Sequence, residues 1–555
     1  MTPGLLPYVP TMPNLIHDAA RRFGERDYIV TPDRRLSFRA VESQSRRLAK
    51  RLMKAGVGKG TRVAILFPQG PDFVVAIAAV TRIGAIAVPL STFLRPPEMS
   101  RATRHADVSL LLAPRALLGR DVAEFLEATW PQLAAARHPQ LFLTDAPYLR
   151  MVWLCGGSDR PWATGTPELS ASGGESGESS GGQTSDDEIG DEGNDEVSDE
   201  LLRQVEAEVR PSDLMVLVST SGATAEPKGV MHTHGAQVRH GWTLAQLYDL
   251  TSDVRTFTSM PFFWVGGLTV SLLSHLHVGA TVITAERIDG PVIVDTIERE
   301  RATRVVGWTL VEQLTGDPAL VDRDLAWLVD LQPASITHPG RRHNSLGMSE
   351  TSGPHTVAPA SVGDVDLPDA LLGSFGPPVP GVEHKIVDPT NRSILPDGVE
   401  GEICVRGYSL MDGLYKKERS ETFDADGWYA TGDKGYFRDG LLYFTGRLSE
   451  MIKTRGANVA PREVELAIET LPGVKAAFVV GLPDGERGQQ VACMVCPHPG
   501  WDLDPPSLTE QLRGVLSSYK VPRKIVVVPY DEAPWLASGK ISKPRVAEAL
   551  SEAPA

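Results

Sequence analysis

The sequence predicts an α/β protein: a large N-terminal domain of β-sheets with packed helices, then a small α+β C-terminal domain. Three observations carry this. Helix-like and strand-like segments alternate from Leu36 onward, as in a substantial parallel sheet. A second pattern, with its own helices and strands, begins past Arg447. The length of 555 residues exceeds what one core usually holds.

The elements follow in order. Phe38 to Lys54 places apolar residues at helical spacing and ends at Gly56. Val63-Ala64-Ile65-Leu66-Phe67 is a short apolar run closed by Pro68, as a buried strand should be. Phe73 to Ile83 reads as an apolar helix stopped by Gly84, and Ile86 to Leu90 as the next strand. Leu201 to Val209 reads as a helix and Leu214 to Val218 as a strand. In the C-terminal part, Pro461 to Thr470 and Leu508 to Leu516 read as helices, and Ala476 to Val480 and Val491 to Val495 as strands. The expected division is 1–446 and 450–555.

Trp162 to about Glu200 breaks the alternation. It is rich in Gly, Ser, Asp and Glu and nearly free of apolar residues, so burial cannot offset its ordering entropy. The stretch at about 165–200 is expected to be a disordered acidic insertion. Residues 171–200 carry eleven of the acids behind the net charge of −15 and no Lys or Arg, so the remainder is nearly balanced. A basic nucleic-acid footprint is absent. Binding of a basic partner by the acidic run is weaker as a reading than a solvated loop.

Cys155, Cys404, Cys493 and Cys496 are too few for a disulfide framework and suit a reducing compartment. Cys493 and Cys496 have redox-motif spacing, but on a strand they point to opposite faces, which favours packing. The N-terminus lacks the pattern of a signal peptide, and no apolar run is long enough to span a bilayer. A cytoplasmic protein without a transmembrane segment is expected.

The segment with the most chemistry is Ser219-Thr220-Ser221-Gly222-Ala223-Thr224-Ala225-Glu226-Pro227-Lys228-Gly229-Val230, directly after a strand. It can offer backbone N–H groups, several hydroxyls and one cation to a polyphosphate. It is not a P-loop, because Lys228 precedes a Gly. Alone, a Ser/Thr/Gly-rich turn is most often only a turn.

This segment resembles the signature loop of the adenylate-forming superfamily, which includes acyl-CoA synthetases, adenylation domains and luciferases. Further segments match that family in its order: Pro261 to Gly267 (acyl site), Leu346-Gly347-Met348-Ser349-Glu350, Trp428 to Asp433, and the hinge-like Gly446 to Gly456. Pro461 to Glu465 and Ser538-Gly539-Lys540-Ile541 complete the set. Singly, Asp433 reads as a turn residue, Glu350 as a helix-start acid and Lys540 as a solvated lysine. As an ordered set they do not.

The resemblance implies an AMP-forming acid–CoA ligase using ATP, Mg²⁺ and coenzyme A on a fatty or other apolar carboxylic acid, with a homodimer left open. It implies ATP contacts from Thr220, Ser221, Gly222, Thr224, Lys228, Gly347, Met348, Ser349, Asp433, Arg447 and Lys540. Thr224 and Glu350 would hold Mg²⁺; Lys540, Glu350 and Thr224 would serve catalysis. Trp264, Gly266 and Gly267 would line the acyl pocket, with His240, Val265 and Trp308 nearby. Lys453 and Gly456 would meet coenzyme A once the mobile C-terminal domain rotates about Ser449.

Departures from the family pattern are Ala223 and Ala225 in the loop, Trp264 in place of a histidine, and Leu346 in place of an aromatic residue. The segment between Gln332 and Asn344 is short and rich in turn formers where relatives carry an adenine-contacting strand. Two alternatives therefore stand beside the ligase: a stand-alone adenylation enzyme loading a carrier protein, and a non-catalytic member with a shortened adenine site.

Overall fold

The structure is a computed structural model that describes residues 6–167, 169, 197–220, 228–286, 290–307, 330–333, 345–358, 374–448, 452–459, 461–535 and 541–553. Eight strands form its largest sheet, in the order Gly413–Leu414, Lys228–Thr233, Leu214–Thr220, Ile86–Pro89, Arg62–Ile65, Leu110–Pro114, Met151–Cys155 and Thr164–Thr166. Pairing is parallel from Leu214–Thr220 through to Thr164–Thr166, and antiparallel on the side that carries Lys228–Thr233.

Strand periodicity explains why this sheet is buried on both faces. Val63 and Ile65 join one apolar cluster, while Ala64 and Leu66 join another on the opposite face. The helix Pro71–Arg82 is apolar all round and accordingly buried all round, except at Asp72. Its last residue, Arg82, is fully buried and donates to Glu206 (2.5 Å), Glu42 (3.1 Å) and the Ser45 hydroxyl (2.8 Å).

A second sheet runs Asp330–Pro333, Arg304–Gly307, Arg255–Thr258, Thr281–Ile283, Asp27–Val30 and Arg35–Ser37. A third, antiparallel throughout, comprises Val382–Val387, Gly401–Gly407, Tyr429–Arg438 and Leu441–Arg447. The C-terminal part is built on the long hairpin Val474–Asp484 and Gly488–Pro497, with Lys524–Val527 parallel to its second strand. Helices Pro461–Glu469, Pro505–Val515 and Lys543–Glu552 accompany it. Cys493 lies in the cluster on one face of this sheet and Cys496 in the cluster on the other, the alternation expected of two packing thiols.

The acidic stretch needs correcting at its edges. Trp162 is fully buried and donates to Glu127 (3.0 Å), Thr164–Thr166 adds a strand to the large sheet, and Leu169 is buried. A helix begins at Asp199, earlier than Leu201, because Ser198 caps it by accepting from Leu201 N at 3.0 Å. Residues 170–196 lie outside the described residues. No helix among the described residues is long and apolar enough to cross a membrane.

Candidate active site

Strand register assembles the first part of the site. Leu214–Thr220 turns back into Lys228–Thr233, with Thr220 directly opposite Lys228. The two strands flank the Ser/Thr/Gly-rich segment in sequence, and Lys228, at its C-terminal end, is half-buried. Ser221, Gly222 and Thr224 lie outside the described residues, as does the Thr220 side chain.

Glu350 sits in the 3₁₀ turn Ser349–Thr351, between the paired strands Ser345–Met348 and Gly353–Val357. Gly347 is obligatory there, since a Cβ would come within 2.6 Å of the backbone of Gly353 and Pro354. The next residue, Ser352, takes a left-handed φ of 61° that costs a non-glycine residue energy. A buried network holds it. Ser352 Oγ lies 3.0 Å from His232 Nδ1 and accepts from Gln237 Nε2 at 3.2 Å. Gln237 Oε1 accepts from Thr269 at 2.7 Å, and His232 Nε2 donates to the Ser349 carbonyl at 2.7 Å. Burial pushes the His232 pKa down to about 4, so the ring stays neutral. One network thus joins the strand carrying Lys228, the turn carrying Glu350 and the π-helix Gly266–Leu273.

The Thr-Gly-Asp segment owes its shape to a bulge. Glu402 pairs with Lys434 and Cys404 with Ala430, so Ile403 alone faces Thr431, Gly432 and Asp433. Gly432 takes the positive φ of 72° that the bulge requires, and its N–H donates to Glu402 Oε1 at 3.1 Å. Thr431 donates to the Ile403 carbonyl at 2.7 Å and accepts from the Asp433 N–H at 3.1 Å. Asp433 is buried, opposite Arg447 in the register. Tyr429 on the same strand donates its hydroxyl to Glu350 Oε1 at 3.1 Å and so ties the two carboxylate segments together.

At the acyl motif, Phe263 and Trp264 meet edge-on at 5.2 Å. Gly266 and Gly267 open the π-helix, and Gly267 has no room for a side chain, because a Cβ there would overlap the Pro261 carbonyl. π-Helical turns recur at functional sites. His240 is fully buried beside Tyr408, 3.4 Å from its hydroxyl. Leu346 packs into the core with Leu244, Val357 and Phe375. Met348 packs against the cluster of Val230, Met411, Phe423 and Tyr429.

Lys453 and Gly456 belong to the hairpin Ile452–Thr454 and Ala457–Val459, whose turn residues Arg455 and Gly456 both have positive φ. The Lys453 ammonium lies 5.0 Å from the Phe444 ring. Ser449, Lys540, Trp308, the Arg447 side chain and residues 334–344 lie outside the described residues. Sequence reasoning missed His232, Gln237, Ser352 and the role of Tyr429. The only available signal was the place of His232 four residues beyond Lys228.

Among the described residues no three His, Cys, Asp or Glu side chains converge as a metal cage. The donor type fits Mg²⁺ nonetheless, since this ion is usually held by one or two carboxylates together with substrate phosphates, and Glu350 offers a carboxylate that Tyr429 orients. These features define an α/β protein with a mainly parallel sheet, an aspartate set beside a strand bulge and a C-terminal unit with its own core. The chain belongs to the AMP-binding enzyme family, whose model matches residues 16–315 and 327–415, and the model of the family's C-terminal domain matches residues 463–540. The family's acid–CoA ligases use ATP, Mg²⁺ and coenzyme A.

The chain is 28% identical over 530 residues to indoleacetate–CoA ligase of Aromatoleum aromaticum, covering 94% of both proteins. It is 27% identical over 548 residues to sulfoacetate–CoA ligase of Cupriavidus necator, covering 96% of both. Among solved structures it resembles the amide bond synthetase McbA of Marinactinospora thermotolerans, with a TM-score of 0.76 and 26% identity over 97% of this chain and 99% of that one.

Proposed function

We propose that this protein is an AMP-forming acid–CoA ligase acting on an apolar carboxylic acid. The observation that carries this reading is the single buried network joining Lys228's strand, Glu350's turn and the acyl π-helix, with Tyr429 linking Glu350 to the strand of Asp433. Such a scaffold fixes phosphate, metal and acyl contacts relative to one another, which is the positioning that acyl–phosphate chemistry demands. The division into 1–446 and 450–555 with a hinge at Ser449 belongs to the same proposal.

In the first half-reaction the acid's carboxylate oxygen attacks the α-phosphorus of ATP, and pyrophosphate leaves. Lys228, with Thr220, Ser221, Gly222 and Thr224, contacts the β- and γ-phosphates. Glu350 and Thr224 would hold Mg²⁺, which would supply positive charge to neutralise the phosphates. Asp433 accepts from the ribose hydroxyls, Arg447 adds a second ribose contact, and Gly347, Met348 and Ser349 border the nucleotide. Lys540 stabilises charge on the reacting acyl phosphate. In the second half-reaction the C-terminal unit turns and brings Lys453 and Gly456 to coenzyme A. The thiol sulfur then attacks the acyl carbon, its proton is lost to solvent, and AMP departs.

Phe263 and Trp264 offer aromatic walls to the acid. The names of relatives, indoleacetate–CoA ligase and feruloyl-CoA synthase among them, favour a ring-bearing acid over a long fatty acid. The family match over 327–415 includes the shortened segment at 332–344, which counts against a non-catalytic member. McbA's name makes an amine the acceptor to set beside coenzyme A.

The test is pyrophosphate release from ATP and Mg²⁺ over a panel of aryl, alicyclic and fatty acids, each with coenzyme A, an amine or neither. Release that depends on the acid and rises with coenzyme A is expected, and Asp433→Asn should lower apparent ATP affinity about a hundredfold. Silence across the panel from folded protein would overturn the reading.

A further inference from the structure

At the start of the helix Pro96–His105, Glu98 Oε2 accepts from the N-cap Arg95 N at 2.9 Å, the N3 half of a capping box. By sequence Glu98 is only a helix-start acid. In the fold it is buried, at 4% exposure, and does more than cap. Its Oε1 accepts from Lys520 Nζ at 3.0 Å and its Oε2 from the Ser517 hydroxyl at 2.6 Å. Lys520 is itself 5% exposed and donates a further bond to Glu463 at 2.9 Å.

Glu98 lies in the stretch matched by the AMP-binding model, and Lys520, Ser517 and Glu463 lie in the stretch matched by its C-terminal-domain model. The ion pair therefore crosses the boundary between the two. Beside it, Phe93 meets Tyr519 edge-on at 6.4 Å and Phe263 of the acyl motif at 5.8 Å. Burial works against the Lys520 charge, yet Tyr519, Glu463 and Glu98 together hold its pKa above the ordinary lysine value.

Exposed ion pairs contribute little, whereas a desolvated pair that loses one partner leaves a charge poorly compensated. A bond of this kind across a moving boundary forms in one arrangement and breaks in the other, so it shifts the balance between them by its own free energy. The described residues that flank Lys540 bond within the C-terminal unit: Trp535 donates to the Tyr530 carbonyl, and Lys543 bonds Glu465 and the Val479 carbonyl.

We propose that Glu98 and Lys520, with Ser517, are a latch that holds the C-terminal unit in the thioester-forming arrangement, making them positioning residues for the second half-reaction. The proposal rests on the ligase reading above. The latch forms only when the turn after Pro505–Val515 seats on the start of Pro96–His105, beside the aromatic residues of the acyl motif. It breaks when the unit turns to bring Lys540 to the α-phosphate.

The test uses the full chain with Glu98→Gln, which keeps the cap acceptor and removes the charge, and Glu463→Gln, which disturbs Lys520 from its own side of the boundary. Hydrogen exchange is followed over 91–100 and 513–522. Pyrophosphate exchange reports adenylation, and coenzyme A acylation by a supplied acyl-adenylate reports the second step. Glu98→Gln should lose protection in both segments and slow acylation on the order of tenfold while adenylation holds or rises. Glu463→Gln should keep protection over 91–100 and hold acylation within about twofold. Ser517→Ala should move both readouts in the direction of Glu98→Gln by less. Equal slowing of both half-reactions by Glu98→Gln, loss of adenylation alone, or unchanged exchange would overturn the latch. If no acid is adenylated by the unaltered protein, the ligase reading fails while hydrogen exchange still decides whether the boundary contact exists.

Discussion

The two parts of the molecule hold their functional residues by different means. In the large part, Glu350 is fixed by Tyr429 in front and by the His232–Ser352–Gln237–Thr269 network behind, all of it buried. In the C-terminal unit, Lys453 and Gly456 sit on a two-stranded hairpin whose turn is Arg455 and Gly456, and the unit meets the large part at Glu98, Phe93 and their partners. The first arrangement suits contacts that must stay in place through both half-reactions. The second suits contacts that take turns. Rigidity and exchange are thus divided between two cores, each with its own apolar clusters.

Acid should separate the two parts most strongly. His232, His234, His277 and His384 are pushed down to about 4 by burial, His240 and His275 to about 3, and His355 well below its ordinary value, all in the large part. The single histidine of residues 452–553, His498, is exposed. A histidine held neutral in the fold takes up its proton first in the unfolded chain. Its stabilisation is complete above about pH 6.5 and is lost as the pH falls toward 4, at up to about 1.4 kcal/mol per pH unit for each ring. Urea unfolding followed by hydrogen exchange from pH 7 to 5 should show the large part giving way while the hairpin Val474–Pro497 stays protected. Parallel loss in both parts would break the comparison.

Lys540→Ala sharpens the same division in activity. If Lys540 acts only while the unit is turned toward the α-phosphate, adenylation should fall about a thousandfold. Thioester formation from supplied acyl-adenylate should change by less than about threefold. A variant that loses both steps equally would show that Lys540 serves a structural or shared role.

Much of this was legible in the sequence because the signals are local. Val63 to Phe67 and Phe73 to Ile83 are apolar runs whose ends are marked by Pro68 and Gly84. The limits of the acidic stretch were not legible, because Trp162 and Leu169 lie among polar residues and find their cores through distant strands. Nor was the latch, since Glu98 and Lys520 stand 422 positions apart and Glu98 already has a sufficient local explanation as a cap. His232 was hidden for the same reason: a histidine in an alternating strand reads as packing until its partners are known. The π-helix Gly266–Leu273 was equally hidden, being buried at nearly every position and without an amphipathic period of its own.

Tyr429→Phe gives the smallest and most specific test of the rigid half. The tyrosine is 7% exposed and packs beside Val230, Met411 and Phe423, so phenylalanine keeps the packing and removes one hydroxyl. Stability should fall by no more than about 1 kcal/mol. Glu350 would lose the donor at 3.1 Å that orients its carboxylate, while its backbone carbonyl still accepts from Met411 N at 2.7 Å. A carboxylate that keeps its place but not its orientation should bind metal more weakly without being disabled. Titrating Mg²⁺ in the pyrophosphate assay should therefore show about a three- to tenfold higher requirement, with the rate restored at saturating metal. A rate that stays low at every Mg²⁺ concentration would mean that Tyr429 acts on the substrate rather than through Glu350. The rigid scaffold would then reach one residue further into the chemistry than the hydrogen bonds alone assign it.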